Sequence, residues 1–320
     1  LRGRGSWRCG GTVILGELGL GNLDSQWKPV VCPAFRDRTL KAIACGGAHT
    51  LFLTDNGCVY ATGLNDFGQL GVSESKHYSV EPLCVFGEEK KVVQVSAGYN
   101  HSCAITVDGE LYMWGKNTSV QLGLGKRAPN IVPLPTKVEY LNGINIKMAA
   151  LGSDHSLAIS DGGEAFSWGV GVSGRLGHGH ESSILGFFKS YSEYTPRLIK
   201  DLEGIKRLKA MSDATKPSLI GELPSSKVVC GGYHTCVLTN QGPFLKSSVS
   251  QLSCGWKNTA AISEGRVFTW GWGGSNGTFS EGHGSDVDYI NPTRVCFGED
   301  VKALQVSCGF NHTGAILEYA

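Results

Sequence analysis

The sequence predicts an all-β fold, a seven-bladed β-propeller with four-stranded blades. Three observations predict it. A short motif containing Gly and His recurs along the chain, Asn-Gly or Asp-Gly steps separate short apolar runs, and Gly makes up 45 of 320 residues, about twice its usual share of roughly 7%. No stretch keeps the apolar spacing of an amphipathic helix. Repeated units of about 40–50 residues are typical of propeller blades.

Each repeat begins with an apolar strand that leads into the motif Gly-x-x-His. In six copies the His position is occupied by His49, His101, His155, His234, Asn258 and His312. The interval from His49 to His101 is nearly the same as the interval from His101 to His155, and the last two copies repeat it. This regular spacing indicates one structural unit per copy.

A hairpin turn and a return strand follow the motif. The steps Asn56-Gly57 and Asp108-Gly109 are typical of tight hairpin turns, in which Gly takes a positive φ. We therefore predict a positive φ at Gly57 and Gly109. Residues 110–114 then form an aromatic-rich strand, which ends in Trp-Gly before a Leu-Gly pair closes the repeat.

The predicted domain organisation is a basic segment over residues 1–12 and a single propeller domain over 13–320. The repeats lie near 41–86, 92–141, 146–204, 227–242, 249–295 and 301–320, the last together with 13–31. About one and a half repeat lengths separate His155 from His234, but less than half a repeat length separates His234 from Asn258. One repeat is therefore incomplete around 205–226, and we hypothesise that stretches omitted from this region would restore seven repeats.

Ring closure is predicted from the two ends of the chain. The last repeat stops after its first half, whereas the first residues carry only a second half, which includes Leu18-Gly19. The N-terminal strands should thus complete the blade that the C-terminal strands begin. This closure removes the exposed edges of the sheets.

Composition excludes several classes of protein. There are 29 basic and 28 acidic residues, and this balance argues against direct nucleic-acid binding, which usually requires a basic face. Eleven cysteines, an odd number without a C-x-x-C pair, favour an intracellular protein over a disulfide-linked secreted one and give no zinc-binding pair. No apolar run is long enough for a transmembrane helix, so we expect no membrane span.

The compartment is left open by the N-terminal segment. It contains Arg2, Arg4 and Arg8 and no acidic residue. The end of a mitochondrial or chloroplast transit segment has this composition, and so does the basic tail of a nuclear protein. Both interpretations, and a cytoplasmic location, remain open.

The complete repeat pattern resembles the regulator of chromosome condensation repeat. It consists of Gly-x-x-His-Thr, then Trp-Gly and then Leu-Gly, which keep the same register from one repeat to the next, and it covers nearly the whole chain. The resemblance implies a seven-bladed propeller. It also implies a choice of functions, because the family includes the nucleotide-exchange factor for the GTPase Ran, the plant ultraviolet-B photoreceptor and ubiquitin-ligase-linked or adaptor proteins. The repeats resemble those of plant members.

Ultraviolet sensing is not expected despite this resemblance. In the photoreceptor branch, Gly-Trp-Arg-His-Thr motifs from adjacent blades stack their tryptophans and arginines on one face. Here only residues 255–259, with Trp256 and Lys257, come close. The other copies hold Gly47, Tyr99, Ser153, Gly232 and Phe310 at the Trp position.

No catalytic residue, metal ligand or cofactor site is predicted, and we expect that the protein is not an enzyme. An active site is one constellation, whereas the five histidines recur once per blade, so we interpret them as structural. The repeated cysteines are interpreted as small buried hydrophobic residues. Residues 169–174 match G-x-G-x-x-G, but they lie in a loop between strands and not between a strand and a helix, as a dinucleotide site requires.

The candidate contacts with a partner are aromatic. The segment from Gly177 to Pro196 is nearly twice as long as the equivalent segments of the two preceding repeats, 71–82 and 123–133. The longer loop carries Phe187, Phe188, Tyr191 and Tyr194, and aromatic residues dominate interface hot spots. The alternative is that Phe187 and Phe188 pack on the outer strand of their own blade. Trp256 and Lys257 are the second candidate contact.

Two classes of function follow. We favour a non-enzymatic scaffold or adaptor that binds a protein through its rim loops, such as a small GTPase or a multi-subunit complex. The alternative is a guanine-nucleotide exchange factor for a Ran-like GTPase. A chromatin- or RNA-associated organiser is a weaker alternative.

Overall fold

The computed structural model describes residues 6–11, 16–24, 26–73, 76–171, 176, 178, 191–199, 225–230, 235–239, 249–255, 258–271, 289–295, 297, 301–309 and 312–319. These residues form strands and two 3-10 helices, Pro33–Phe35 and Glu139–Leu141. The strands are β1 (Ser6–Gly11), β2 (Gln26–Val31), β3 (Leu40–Cys45), β4 (His49–Thr54), β5 (Val59–Leu64), β6 (Tyr78–Phe86), β7 (Val92–Ala97), β8 (His101–Thr106), β9 (Leu111–Lys116), β10 (Ile131–Lys137), β11 (Ile146–Leu151), β12 (His155–Ser160), β13 (Ala165–Val170), β14 (Ser192–Leu198), β15 (Ser225–Cys230), β16 (Thr235–Thr239), β17 (Val249–Cys254), β18 (Asn258–Ser263), β19 (Arg266–Gly271), β20 (Tyr289–Arg294), β21 (Val301–Cys308) and β22 (His312–Tyr319).

The strands pair antiparallel in sheets that follow the repeats. Four-stranded sheets are β3–β6, β7–β10, β11–β14 and β17–β20, which we call blades 1, 2, 3 and 5. The pair β15–β16 is the described part of blade 4, and blade 6 has the order β2-β1-β22-β21. Neighbouring blades contact each other through their first strands around the ring. The predicted all-β propeller is confirmed, and the incomplete repeat around 205–226 lies almost wholly outside the described residues.

Blade 6 closes the ring with both ends of the chain. Strand β1 pairs with β22, opposite residues 312–317, and β2 pairs with β1. The prediction that N-terminal strands complete the last blade is confirmed. The boundary at residue 12 is wrong, because β1 lies within the supposed basic segment and is a strand of the propeller. Its pairing with β22 is a long-range interaction that the composition of residues 1–12 does not reveal.

The hydrophobic core lies between the blades. Between blades 1 and 2, Leu51 and Val59 pack with Trp114, and between blades 2 and 3 Met113 packs with Trp168. Both tryptophans are completely buried. The sheets of blades 1 and 2 therefore bury both of their faces, which explains why β4 and β8 are buried at every position instead of at every second one.

The outer strands carry prolines. They are Pro29 in β2, Pro82 in β6, Pro133 and Pro135 in β10, Pro196 in β14 and Pro292 in β20. Proline has no N–H to donate, so it interrupts an edge that could otherwise pair with another sheet. Within the described part of the chain, no helix is long and apolar enough to cross a membrane.

Candidate protein-binding surface

The loop between the first two strands of each blade is fixed by the Gly-x-x-His motif. In blade 2, the N–H of Gly98 donates to the carbonyl of His101 at 2.8 Å. A Cβ on Gly98 would lie 2.3 Å from Cε1 of the His101 ring. Gly46 and Gly152 have the same relation to His49 and His155, so the ring of the histidine packs directly on a glycine.

The histidines then connect neighbouring blades. Nε2 of His49 lies 2.8 Å from Oγ of Ser102 in the next blade, and that hydroxyl donates to the carbonyl of Gln69 at 2.8 Å. Because the only hydroxyl proton is used in this way, Nε2 of the imidazole must be the donor. His101 repeats the arrangement with Ser156 at 3.2 Å.

The electrostatics of this chain agree with a structural role. His49 and His101 are completely buried. Burial, with smaller contributions from His49 and His155, lowers the pKa of His101 to about 3. The imidazole is therefore neutral at physiological pH and is not poised as an acid or base. Among the predicted histidines, His234 lies outside the described residues, and for His312 only the backbone in β22 is described.

The Trp-Gly and Leu-Gly motifs also meet across the blade interfaces. Nε1 of Trp114 donates to the carbonyl of Gln69 at 2.9 Å, and Trp168 does the same to Gln121 at 2.8 Å. A Cβ on Gly71 would lie 2.7 Å from Nε1 of Trp114. The tryptophan of one blade thus covers the Leu-Gly turn of the preceding blade.

The sequence analysis did not identify Gln69 and Gln121 as hydrogen-bonding positions at the blade interfaces. Each carbonyl receives two donors, a serine hydroxyl and a tryptophan N–H. The signal that could have found them is the triplet Gln-Leu-Gly, present at 69–71 and 121–123.

A second set of glutamines was also missed. Gln94 donates from Nε2 to the carbonyl of Ala149 at 3.0 Å and accepts from its N–H at 3.1 Å. Gln305 forms the same pair of bonds with Ile43. Each side-chain amide bonds to the N–H and carbonyl of one residue, as a paired strand would, and so links the first strands of two neighbouring blades, β7 to β11 and β21 to β3. They line a central channel of about 490 Å³, but this bridging engages their polar groups.

The cysteines and glycines behave as the repeats suggested. Cys45 and Cys103 are buried, and burial raises the pKa of each thiol to about 12. The predicted positive φ is confirmed at Gly57, where φ is 90°, and at Gly109, where it is 77°. In the described part of the chain, no three His, Cys, Asp or Glu side chains come together as a metal site.

Among the inner loops of blades 1 to 3, the residue at the second position is exposed in blade 2, where it is Tyr99, whereas Gly47 in blade 1 is buried and Ser153 in blade 3 is half-buried. We define the inner-loop face as residues 46–48, 98–100 and 152–154. The N–H of Tyr99 donates to the carbonyl of Gly152 at 3.2 Å, and its carbonyl accepts from Gly47 at 3.0 Å. The Tyr99 backbone is therefore bonded to both neighbouring blades, while 42% of the residue is exposed.

The predicted aromatic loop is described only at its end. Phe187, Phe188, Trp256 and Lys257 lie outside the described residues. The carbonyl of Tyr191 accepts from Gly171 at 2.6 Å, and its hydroxyl accepts from Arg197; both contacts are within blade 3. Tyr194 lies in β14 and is 39% exposed. A partner-binding role for all six residues stays a prediction.

Comparison with known protein families agrees with the repeat pattern. An RCC1-like domain matches residues 6–246, and a regulator of chromosome condensation (RCC1) repeat matches residues 264–316. The chain belongs to the RCC1-like family. The predicted count of seven blades is consistent with the fold of this family.

Relatives of this RCC1-like chain have different functions. It is 31% identical to the ultraviolet-B receptor UVR8 of Arabidopsis thaliana, over 95% of the chain and 68% of the receptor. It is 27% identical to the mouse secretion-regulating guanine nucleotide exchange factor, over 95% of the chain and 70% of that protein. The human probable ubiquitin ligase HERC3 is 31% identical, but the chain spans only 29% of its length.

Among solved structures, Prp20p of Saccharomyces cerevisiae has a similar fold. The TM-score is 0.81 at 22% identity, and the alignment covers 99% of this chain and 92% of Prp20p. The structure of Prp20p was described together with its binding to Gsp1p and histones. At this level of identity the similarity shows the fold alone.

Proposed function

We propose that this RCC1-like chain is a non-enzymatic scaffold that binds a protein partner through its inner-loop face. One observation carries the proposal. The backbone of Tyr99 is bonded on both sides to adjacent blades, and yet its aromatic ring is on an exposed residue at the mouth of the channel. Tyrosine with a fixed backbone offers a large contact area at low entropic cost, which is a property of interface hot spots.

The equivalent loop positions support this assignment of roles. Blade 1 has Gly47 and blade 3 has Ser153 where blade 2 has Tyr99. The loop backbone is repeated but the residue at this position varies, and of these three blades blade 2 presents the exposed side chain. Such variation suits protein recognition, whereas coupled ultraviolet absorption would need several adjacent tryptophans.

The perturbed groups favour binding over catalysis. His101 has its pKa lowered because it is buried, and Cys32 has its pKa raised to about 11 for the same reason. These groups lie within the frame, away from the surface that a substrate would reach. Enzymes usually place perturbed titratable groups in an accessible cleft.

The scaffold proposal is tested with a matched pair of tyrosines. Tyr99→Ala should weaken co-purification of the native complex, whereas Tyr78→Ala should not, although Tyr78 has a similar exposure of 40%. Both variants should keep the melting temperature of the wild type, because neither side chain is buried. Equal recovery of the complex with both variants would overturn the proposed face.

Guanine-nucleotide exchange is the second candidate function. It is favoured by 27% identity to the secretion-regulating exchange factor over 95% of this chain. Purified chain would be incubated with a nucleotide-free Ran-like GTPase. Stable binding of that state, together with faster nucleotide release, would support exchange activity. Absence of both would contradict exchange activity and leave the scaffold as the one remaining proposal of the two.

The weaker candidate, a chromatin or RNA organiser, predicts a different behaviour. Binding to nucleic acid through many phosphate contacts falls steeply with added salt. The net charge of only +1 does not favour many phosphate contacts. We therefore expect no salt-sensitive binding of duplex DNA or RNA to this chain.

A further inference from the structure

A turn of blade 2 lies across the outer wall of blade 3. The N–H of Gly125 donates to the carbonyl of Tyr194 in β14 at 2.9 Å. The N–H of Ala128 donates to the carbonyl of Gly125 at 3.2 Å, which closes a tight turn. Lys126 and Arg127 occupy the tip of that turn, and both are exposed.

Two tyrosines contact Gly125, Tyr194 through its backbone carbonyl and Tyr140 through its ring. Tyr140 belongs to the 3-10 helix Glu139–Leu141, which contacts β14. A Cβ on Gly125 would lie 2.7 Å from the hydroxyl oxygen of Tyr140, so the ring packs against the glycine. Tyr140 is nevertheless 59% exposed and Tyr194 39%. We call Lys126, Arg127, Tyr140 and Tyr194 the outer-wall patch.

Within the described ranges, no acidic side chain pairs with the two cations of the outer-wall patch. Among the residues that the structure describes, neither Lys126 nor Arg127 forms an ion pair. Of the acidic groups next to the two tyrosines in the sequence, Glu193 pairs with Arg197 at 2.5 Å, whereas Glu139 accepts a hydrogen bond from the neutral amide of Asn142 and keeps its negative charge.

The adjacent strand excludes one mode of peptide binding and favours another. Strand β10 contains Pro133 and Pro135, which have no N–H, so a partner cannot add a regular strand to this edge. The same strand exposes Ile131 at 43% and Leu134 at 47%. Recognition here must therefore use side chains, with apolar contacts beside a cationic turn.

We propose that the outer-wall patch binds an extended acidic segment of a partner protein. Carboxylates of the segment would pair with Lys126 and Arg127, and an apolar side chain next to them would lie between Tyr140 and Tyr194. Charge complementarity selects this occupant, because the turn that meets both tyrosines at Gly125 carries two exposed cations that form no ion pair with any described residue. The patch combines a turn, a 3-10 helix and the outer strand β14, whereas the inner-loop face lines the channel, so this is a second surface and does not depend on the first.

The test uses the full chain and a phage-displayed library of short random peptides. Enriched sequences should carry at least two Asp or Glu residues close to an aromatic or aliphatic residue. The best peptide is then synthesised, and its affinity is measured by fluorescence anisotropy. Enrichment without acidic residues, or no enrichment, would overturn the proposal.

Variants locate the binding site. Lys126→Glu with Arg127→Glu should weaken the peptide's affinity by about tenfold or more, equivalent to about 1.4 kcal/mol, and raising salt from about 0.05 to 0.5 M should weaken the wild type severalfold. The control, Lys41→Glu with Lys147→Glu, makes the same change in charge at exposed positions of the inner strands. It should retain wild-type affinity. An equal loss in both double variants would show a nonspecific charge effect and contradict the proposal.

A second double variant tests the apolar half of the site. Tyr140→Ala with Tyr194→Ala should also weaken the peptide by about tenfold, with the melting temperature measured alongside. If the protein remains folded and the affinity is unchanged, the tyrosines do not contact the peptide and the proposed geometry is wrong.

Discussion

Removing the hydroxyl of Ser102 is the sharpest perturbation of the blade interface. This hydroxyl accepts from Nε2 of His49 at 2.8 Å and donates to the carbonyl of Gln69 at 2.8 Å. Ser102→Ala removes both bonds and creates almost no cavity. The carbonyl of Gln69 keeps one donor, Nε1 of Trp114, but the Nε2–H of the completely buried His49 loses this acceptor.

The expected cost follows from that asymmetry. A buried donor without an acceptor costs about 1–3 kcal/mol, whereas the carbonyl loses only one of two bonds, a net cost of about 0.5–1.5 kcal/mol. We therefore expect Ser102→Ala to lower the free energy of unfolding by about 2–3 kcal/mol. Ser156→Ala, between blades 2 and 3, should behave similarly, because its hydroxyl makes the corresponding bonds to His101 and Gln121.

Urea denaturation, followed by tryptophan fluorescence, measures this change. The matched control is Ser79→Ala in β6, whose exposed hydroxyl makes only local bonds, to the carbonyl and from the N–H of Glu81; it should cost less than about 0.5 kcal/mol. If Ser102→Ala is no less stable than this control, the hydrogen bonds between His49, Ser102 and Gln69 do not stabilise the interface between blades 1 and 2.

Three further predictions concern the same frame. Stability should fall as pH is lowered from 6.5 towards 3, because the pKa of His101 is lowered from 6.5 to about 3 in the folded state and the unfolded chain binds the proton first. Urea denaturation at several pH values should show a weaker dependence of stability on pH for His101→Asn than for the wild type. An unchanged dependence would contradict the neutral, buried state of His101. Gly109→Val should destabilise by about 1 kcal/mol or more, because φ is 77° and a Cβ would lie 2.8 Å from Cα of Asn145; an unchanged melting temperature would refute the turn. Val120 has a φ of 52° where blade 1 has Gly68 at 72°. Val120→Gly should stabilise by up to about 1 kcal/mol, because it relieves a left-handed conformation that costs about 1–2 kcal/mol but adds an entropic cost of about 0.5–1 kcal/mol for the more flexible glycine. A lower melting temperature would mean that packing of the Val120 side chain outweighs the strain.

Local sequence signals predicted the parts of the fold that depend on local chemistry. The hairpin glycines Gly57 and Gly109 were predictable because an Asn-Gly or Asp-Gly step requires a positive φ wherever it occurs in such a turn. The strand β1 was not, because a short segment with Arg and Gly acquires its structure only by pairing with β22 at the other end of the chain.

The same distinction applies to the candidate site. The histidines were predictable as structural because they recur once per blade. Their contacts were not, because the acceptor at Gln69 is a backbone carbonyl, which any residue there would supply; the recurring Gln-Leu-Gly triplet marks the turn but not the contact. Tyr99 was noted only as a replacement for Trp; its exposure depends on how the loops of three blades meet.

Hydroxyl-radical footprinting of the native complex tests the central claim most directly. Tyr99 and Tyr78 have similar exposures, 42% and 40%, and should oxidise at similar rates in the isolated chain. In the complex, oxidation of Tyr99 should fall several-fold while Tyr78 is unchanged, because the partner covers the inner-loop face. Equal oxidation of Tyr99 in the isolated chain and in the complex would show that the partner binds elsewhere.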